Sequence, residues 1–178
     1  MSEGFKGPTS YTTQPEARTA ICGDFDLDAL NIITAAFYAD VIATLGSAGI
    51  PIIISSWRTK TPERIVEKIN QQQMGQGGRD WPIADIYGVR IILDESVRED
   101  ALTAIRDRFP MPDEFPWGLK TCRSGGNRYS HPDYNAVRMN VMLEGDRIGE
   151  IAFMTSEELA IEDQTRETYR SSRGNASK

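Results

Sequence analysis

One histidine, His131, and two cysteines, Cys22 and Cys122, are all that this 178-residue chain holds of those residue types. A lone imidazole excludes mechanisms that need a pair, and two distant cysteines are too few for a zinc site. Free thiols are expected, with one disulfide between them as the alternative if the chain is a trimmed secreted form. No Gly-x-x-x-x-Gly-Lys-Ser/Thr loop occurs, so any phosphate bound here is not held by that device. No apolar run approaches the ~20 residues of a membrane span, and Met1 to Glu16 carries no apolar signal segment. A cytoplasmic protein without membrane contact is the expectation. Positive charge is in deficit, with 20 Lys and Arg against 26 Asp and Glu for a net charge of −6. Such a chain does not attract polyanions as a whole, so an anion site must be a local concentration of Arg and Lys.

That concentration exists. Arg58, Lys60, Arg64 and Lys68 gather around one predicted strand-to-helix junction. Ile50, Ile52, Ile53 and Ile54 read as the strand, Thr61 as a helix N-cap and Pro62 as the first helical residue. Arg64 and Lys68 then fall one turn apart on one helix face, while Ile65, Val66 and Ile69 turn toward a core. A basic helix face standing alone is most often merely solvated. Here the flanking strand directs it toward a shared polyphosphate grip.

The length suits one domain with a substantial core. Residues 1–24 read as an N-terminal arm, 25–170 as the domain and 171–178 as a polar tail. Leu27 to Leu45 has helical spacing and is closed by Gly46 and Gly49. Gln71 to Trp81 reads as a Gln/Gly loop. Ile83 to Leu93 reads as a strand, and Ser96 to Glu99 as a capping box opening a helix to about Phe109. A short strand is expected near Leu119 to Arg123.

Two clearer strands follow, Tyr134 to Leu143 and Arg147 to Met154. In the first, Val137, Met139, Val141 and Leu143 alternate with Tyr134, Ala136, Arg138 and Asn140. In the second, Ile151 and Phe153 alternate with Glu150, Ala152 and Met154. If a turn near Glu144 to Asp146 joins them, Glu150 shares the polar face only when its partner is even-numbered, most simply Asn140, which needs an odd-length loop. Thr155 to Glu158 forms a second capping box, opening a helix to about Arg170. The predicted class is α/β (α+β), a mixed sheet of about five strands flanked by helices, in the order helix, strand, helix, strand, helix, short strand, strand, strand, helix.

Arg58-x-Lys60, Asp85-Ile-Tyr-Gly-Val-Arg90, Tyr134 before a polar-faced strand, and Glu150-Ile-x-x-x-Thr155, in that order, resemble the synthetase domain of the RelA/SpoT family, as does Tyr169-Arg170 near the end of the last helix. The resemblance spans roughly Ile50 to Arg170 and implies a nucleotidyltransferase-like core. It also implies transfer of pyrophosphate from ATP to the 3′-hydroxyl of a purine nucleotide, giving (p)ppGpp-type or (p)ppApp-type products and AMP. There is no room for the family's hydrolase domain, so the chain resembles a stand-alone small synthetase. By resemblance, Asp85 and Glu150 are catalytic carboxylates and ligands of Mg²⁺, and Arg58, Lys60, Arg64, Lys68, Arg90 and Arg98 bind ATP. Tyr134 would stack on the acceptor base. Arg138, Asn140, Lys120, Arg128 and His131 are further acceptor-side candidates, as is Arg123 in the same basic stretch.

The chain departs from the family's pattern at Ala136, Ala152 and Met154, each standing for a polar residue, and at Arg138, standing for a histidine. These changes suggest an acceptor site that tolerates adenine and guanine alike, an apolar wall beside a stacking tyrosine being undemanding. Alternatives are a toxin-type synthetase acting on the tRNA 3′ end, a secreted broad-specificity pyrophosphokinase, and an inactive alarmone-binding module. The acidic net charge argues against tRNA, and two retained acids argue against a pure binder. Homo-oligomerisation is left open.

Overall fold

Asp26 starts the first helix, its carboxylate accepting from the backbone N–H groups of Asp28 and Ala29 at 3.0 and 3.2 Å. A computed structural model of the chain describes residues 25–75, 85–109, 122–124, 133–144 and 147–174, with the side chains of 69–75, 122–124 and 166–174 outside the description. Helix α1 is Leu27–Ser47. It ends where Gly49 takes φ +70°, a conformation that glycine adopts without steric cost, and the Ile50 N–H turns back to the Leu45 carbonyl. Strand β1 (Ile54–Thr59), helix α2 (Pro62–Gly75) and strand β2 (Tyr87–Ile92) follow. After one 3₁₀ turn come helix α3 (Arg98–Arg108), strands β3 (Cys122–Ser124), β4 (Val137–Leu143) and β5 (Arg147–Met154), and helix α4 (Ser156–Gly174). The element order is the one expected.

The five strands form one mixed sheet in the order β1-β2-β5-β4-β3, parallel only between β2 and β5. One face carries Tyr87, Val89, Ile91, Met139, Val141, Ile151 and Phe153 into the main core, against α1 and α3, with Ile65 of α2 in the same cluster. The other face is covered over part of its area by α4, whose Leu159 and Ile161 pack on Ile92, Tyr134, Ala136, Ala152 and Met154. By length and composition alone α1 could cross a membrane, contrary to expectation. Its buried row of Leu30, Thr34, Phe37, Val41 and Leu45 packs in this structure as a core helix.

Several boundaries differ from the expectation. Strand β1 starts at Ile54, so Ile50 to Ile53 are the exit from α1 and the basic residue Arg58 lies inside the strand, paired across from Gly88. Helix α2 continues through the glutamines to Gly75, because Gln has good helix propensity and nothing before Gly75 interrupts the turn. The predicted capping box at Ser96 does not form. Residues Glu95–Val97 make a 3₁₀ turn, and α3 begins at Arg98 with no side-chain cap. Helix α4 runs four residues past its predicted end, to Gly174.

The β4–β5 hairpin and the α4 cap follow the sequence closely. Leu143 pairs with Arg147 across three intervening residues, which puts Asn140 opposite Glu150. At α4 the Thr155 N–H donates to Glu158 Oε2 at 2.7 Å and the Glu158 N–H donates to Thr155 Oγ1 at 3.2 Å, a reciprocal capping box.

On the core face, Gly149 lies so close to Phe37 that an added Cβ would fall 2.5 Å from ring atom Cε1. Gly149→Ala is therefore expected to destabilise the protein by ~1–3 kcal/mol in urea unfolding, the scale of overpacking. The loss should shrink in a Phe37→Leu background, where the opposing ring is gone.

Candidate active site

Two rows of residues cross the half-open face of the sheet, since directly paired residues on neighbouring strands share a face. Arg58, Gly88, Glu150 and Asn140 form one row. Ser56, Arg90, Ala152 and Arg138 form the next. The period-two pattern of the strands thus assembles two arginines, a third from the edge strand and a carboxylate on one surface. Asp85 stands just before β2, at the end of that surface.

These residues border a cavity of about 240 Å³ that both Asp85 and Glu150 line, with Arg58, Arg90, Arg138 and Glu162. A second basin of about 490 Å³ adjoins it at Arg58 and Asp85 and is bordered by Lys60, Arg64 and Lys68. The four basic residues picked from the sequence thus border one depression, and the two acids meet in the neighbouring one. Arg58 crosses between them. Its side chain lies over Gly88, where a Cβ would sit 3.4 Å from the Arg58 Cγ, so a residue without a side chain gives the arginine its path.

Charge is distributed unevenly over this surface. Lys60 Nζ is 3.0 Å from one Asp85 oxygen and Lys68 Nζ is 2.5 Å from the other. Burial alone would raise the Asp85 carboxyl, but Lys68 and then Lys60 outweigh it and hold the group below its ordinary 3.8. Arg64 bonds to Glu67 at 2.6 Å. Arg90 donates to Glu162 at 3.0 Å. Arg58 has no carboxylate partner among the described residues, so its charge is the one most open to an incoming anion.

Three expected site residues are placed differently. Tyr134 is fully buried in the cluster under α4, so it offers no face for stacking on a base. Its hydroxyl donates to Glu162 at 3.0 Å and accepts from Arg138. Burial pushes that hydroxyl up to about 12, with Arg138 opposing and Glu162 reinforcing, so it remains a protonated donor. Arg98 is not on the ATP side. It is buried, donating to the Asn135 carbonyl at 2.8 Å and to Glu158 at 2.7 Å, and it ties the start of α3 to α4. Asn140 pairs across from Glu150 as expected, but it is completely buried and borders neither basin.

Arg138 borders the cavity, yet it is only 5% exposed and its donors are engaged by Tyr134 and Glu162, with Glu150 3.6 Å from its Nε. Ala136, Ala152 and Met154 are buried against α4. The apolar character of Ala136 and Met154 answers to helix packing, while Ala152, in the same cluster, also lines the cavity beside Glu150. Lys120, Arg128 and His131 lie outside the described residues, as does Cys22. Arg123 is placed by its backbone alone, opposite Arg138. Glu162 is the site residue that the sequence pattern missed. It lies one helical turn beyond Glu158, on the same face of α4, and that spacing was the available signal.

Among the described residues no group of three or more His, Cys, Asp or Glu could hold a metal ion. A Mg²⁺ site of the kind that uses one or two carboxylates together with substrate phosphates needs less. Asp85 and Glu150, lining one cavity, fit that donor set.

The lysine pair on Asp85 gives a pH dependence. A carboxyl whose folded value is depressed contributes stability above its unfolded value, lost as the pH falls through the folded value. Asp85 should titrate below 3.8 in an NMR pH series, and in Lys68→Met it should titrate higher, with acid unfolding starting at a higher pH. At the other network, Arg98→Met leaves Glu158 a buried carboxylate without its guanidinium. It should cost ~3–5 kcal/mol in urea unfolding, with no change in nucleotide affinity of the folded protein.

No protein-family model matches the chain, and no curated protein matches it in sequence. Solved structures do match in fold. A GTP pyrophosphokinase family protein from Streptococcus pneumoniae superposes with a TM-score of 0.54 at 15% identity, over 82% of this chain and 76% of that one. Small alarmone synthetase 1 from Bacillus subtilis, bound to its product pppGpp, gives 0.53 at 14% identity, over 81% and 79%. Small alarmone synthetase 2 from the same organism gives 0.50 at 18%, over 83% and 81%. With its mixed sheet, flanking helices and half-open face, the chain has the fold of the small alarmone synthetases.

Proposed function

We propose that this protein transfers pyrophosphate from ATP to the 3′-hydroxyl of a purine nucleotide and releases AMP. The observation that carries this reading is that Asp85 and Glu150 line one cavity whose neighbouring basin is bordered by Arg58, Lys60, Arg64 and Lys68. The fold supports it, since one structure of that fold holds pppGpp as its product. In this reading the basic basin takes the donor triphosphate. Arg58, a basin cation with no carboxylate partner among the described residues, meets the phosphates at the junction, and Lys60 and Lys68 exchange part of their hold on Asp85 for phosphate oxygens. Arginine and lysine divide the work by type, the forked guanidinium fixing orientation and the ammonium groups supplying compact charge.

The acceptor's 3′-hydroxyl would enter the cavity beside Glu150. Its oxygen forms a bond to the β-phosphorus, its proton passes to Glu150, and the bond from the β-phosphorus to the α-phosphate oxygen breaks to free AMP. A Mg²⁺ held by Asp85, Glu150 and the phosphate oxygens would neutralise charge on the transferred group. The acidic net charge of −6 disfavours tRNA as acceptor.

Incubating the protein with ATP, Mg²⁺ and GDP, GTP, ADP or ATP as acceptor should yield AMP with a 3′-diphosphorylated product. Asp85→Ala and Glu150→Gln should each lower kcat by at least ~10²-fold, and Arg58→Ala should raise the KM for ATP. Tight nucleotide binding with no AMP formed under any of these conditions would instead identify an inactive alarmone-binding module. Wild-type kcat in Asp85→Ala would refute the mechanism.

A further inference from the structure

Glu162 is a fully buried carboxylate that the reaction as described does not use, and it reaches into the cleft from α4. Arg90 on β2 and Arg138 on β4 both pair with Ala152 on the strand between them. Two strand spacings separate their backbones by ~9–10 Å, and two cations that carry only donors cannot fix each other directly. Ala152 leaves the intervening space open, and Glu162 fills it. One of its oxygens accepts from Arg90 at 3.0 Å, and the other accepts from Arg138 at 3.3 Å and from the Tyr134 hydroxyl at 3.0 Å.

The two arginines differ in what remains to them. Arg138 is enclosed and stands 3.6 Å from Glu150, so it passes the constraint on to that carboxylate. The Arg90 side chain is 28% exposed in the same cavity. With one terminal nitrogen committed to Glu162, its other N–H groups have no partner among the described residues. We propose that Glu162 is a positioning residue for anion recognition, clamping Arg90 toward a substrate phosphate and, through Arg138, fixing Glu150. The small side chain at position 152 is the slot that admits the clamp. This role rests on the pyrophosphate-transfer reading, but it makes a separate claim about how the cleft is ordered.

The test compares the full-length protein with Glu162→Gln, Glu162→Asp, Arg90→Gln and the Glu162→Gln/Arg90→Gln double variant. Binding of α,β-methylene ATP with Mg²⁺ is measured by calorimetry, turnover as kcat and KM, and Arg side-chain N–H motion by ¹⁵N NMR. Glu162→Gln should free the Arg90 guanidinium to rotate, weaken analogue binding about tenfold and lower kcat as well, on the scale of one lost charge-assisted contact. The double variant should bind no worse than Arg90→Gln alone, because the two losses are one. Glu162→Asp keeps the charge on a shorter arm, guards against a folding defect in Glu162→Gln, and should recover part of the binding. Analogue affinity unchanged in a folded Glu162→Gln protein, or additive losses in the double variant, would overturn the clamp while leaving the proposed reaction standing. A wild-type protein that binds no nucleotide would overturn both.

Discussion

Two buried carboxylates one turn apart on α4 hold the half-open face of the sheet in order. Glu158 takes Arg98, and Glu162 takes Arg90, Arg138 and Tyr134. Burying a charge is costly unless it is paired and hydrogen-bonded, and here each carboxylate has several donors. Among the described residues, the apolar contact under α4 is a small cluster around Ile92 and Met154. Ionic geometry therefore decides where along the sheet the helix rests, and thus where closed surface gives way to open cleft. Neutralising either carboxylate would change the boundary of the site as well as the stability of the fold.

Most charges of the cleft are paired before anything binds, although six cations stand against four carboxylates. Asp85 is shared by two lysines, Arg64 is spent on Glu67, and Arg90 and Arg138 lean on Glu162. Internal pairing keeps a dense set of charges from repelling one another and keeps each side chain near a defined position. An anion entering the cleft would compete with carboxylates for these cations as well as meet the excess positive charge. Recognition of that kind favours ligands that bring both negative charge and a counter-cation for the displaced acids.

Much of this was legible from spacing alone. The alternation of Val137, Met139 and Val141 with Arg138 and Asn140 fixed which face of β4 meets the core, and loop parity fixed the Asn140–Glu150 pair. The cap at Thr155 needs only a four-residue pattern. What spacing cannot show is whether a face is left open or covered by a helix from elsewhere in the chain. Tyr134 and Met154 lie on the expected face but under α4 for this reason, whereas Ala152 also reaches the cavity. Arg98, expected among the ATP-binding residues, and Glu162, which no pattern singles out, cannot be placed from sequence because a charged residue on a helix reads as solvated until its partner, 60 or 72 positions away, is known. The start of β1 was misplaced because four isoleucines look more like a strand than Ser55 to Thr59 do. The pairing with β2 nonetheless falls on the polar stretch.

Gly149 and Glu150 are adjacent in β5 but belong to opposite worlds, one pressed against the Phe37 ring and the other lining the cleft. Successive residues of a strand point to opposite faces, so the backbone that presents Glu150 to the cleft is the one seated on the Phe37 ring. Repacking that ring, from a helix none of whose described residues lines the cleft, would reach the backbone beneath Glu150 from behind the sheet without removing any charged group.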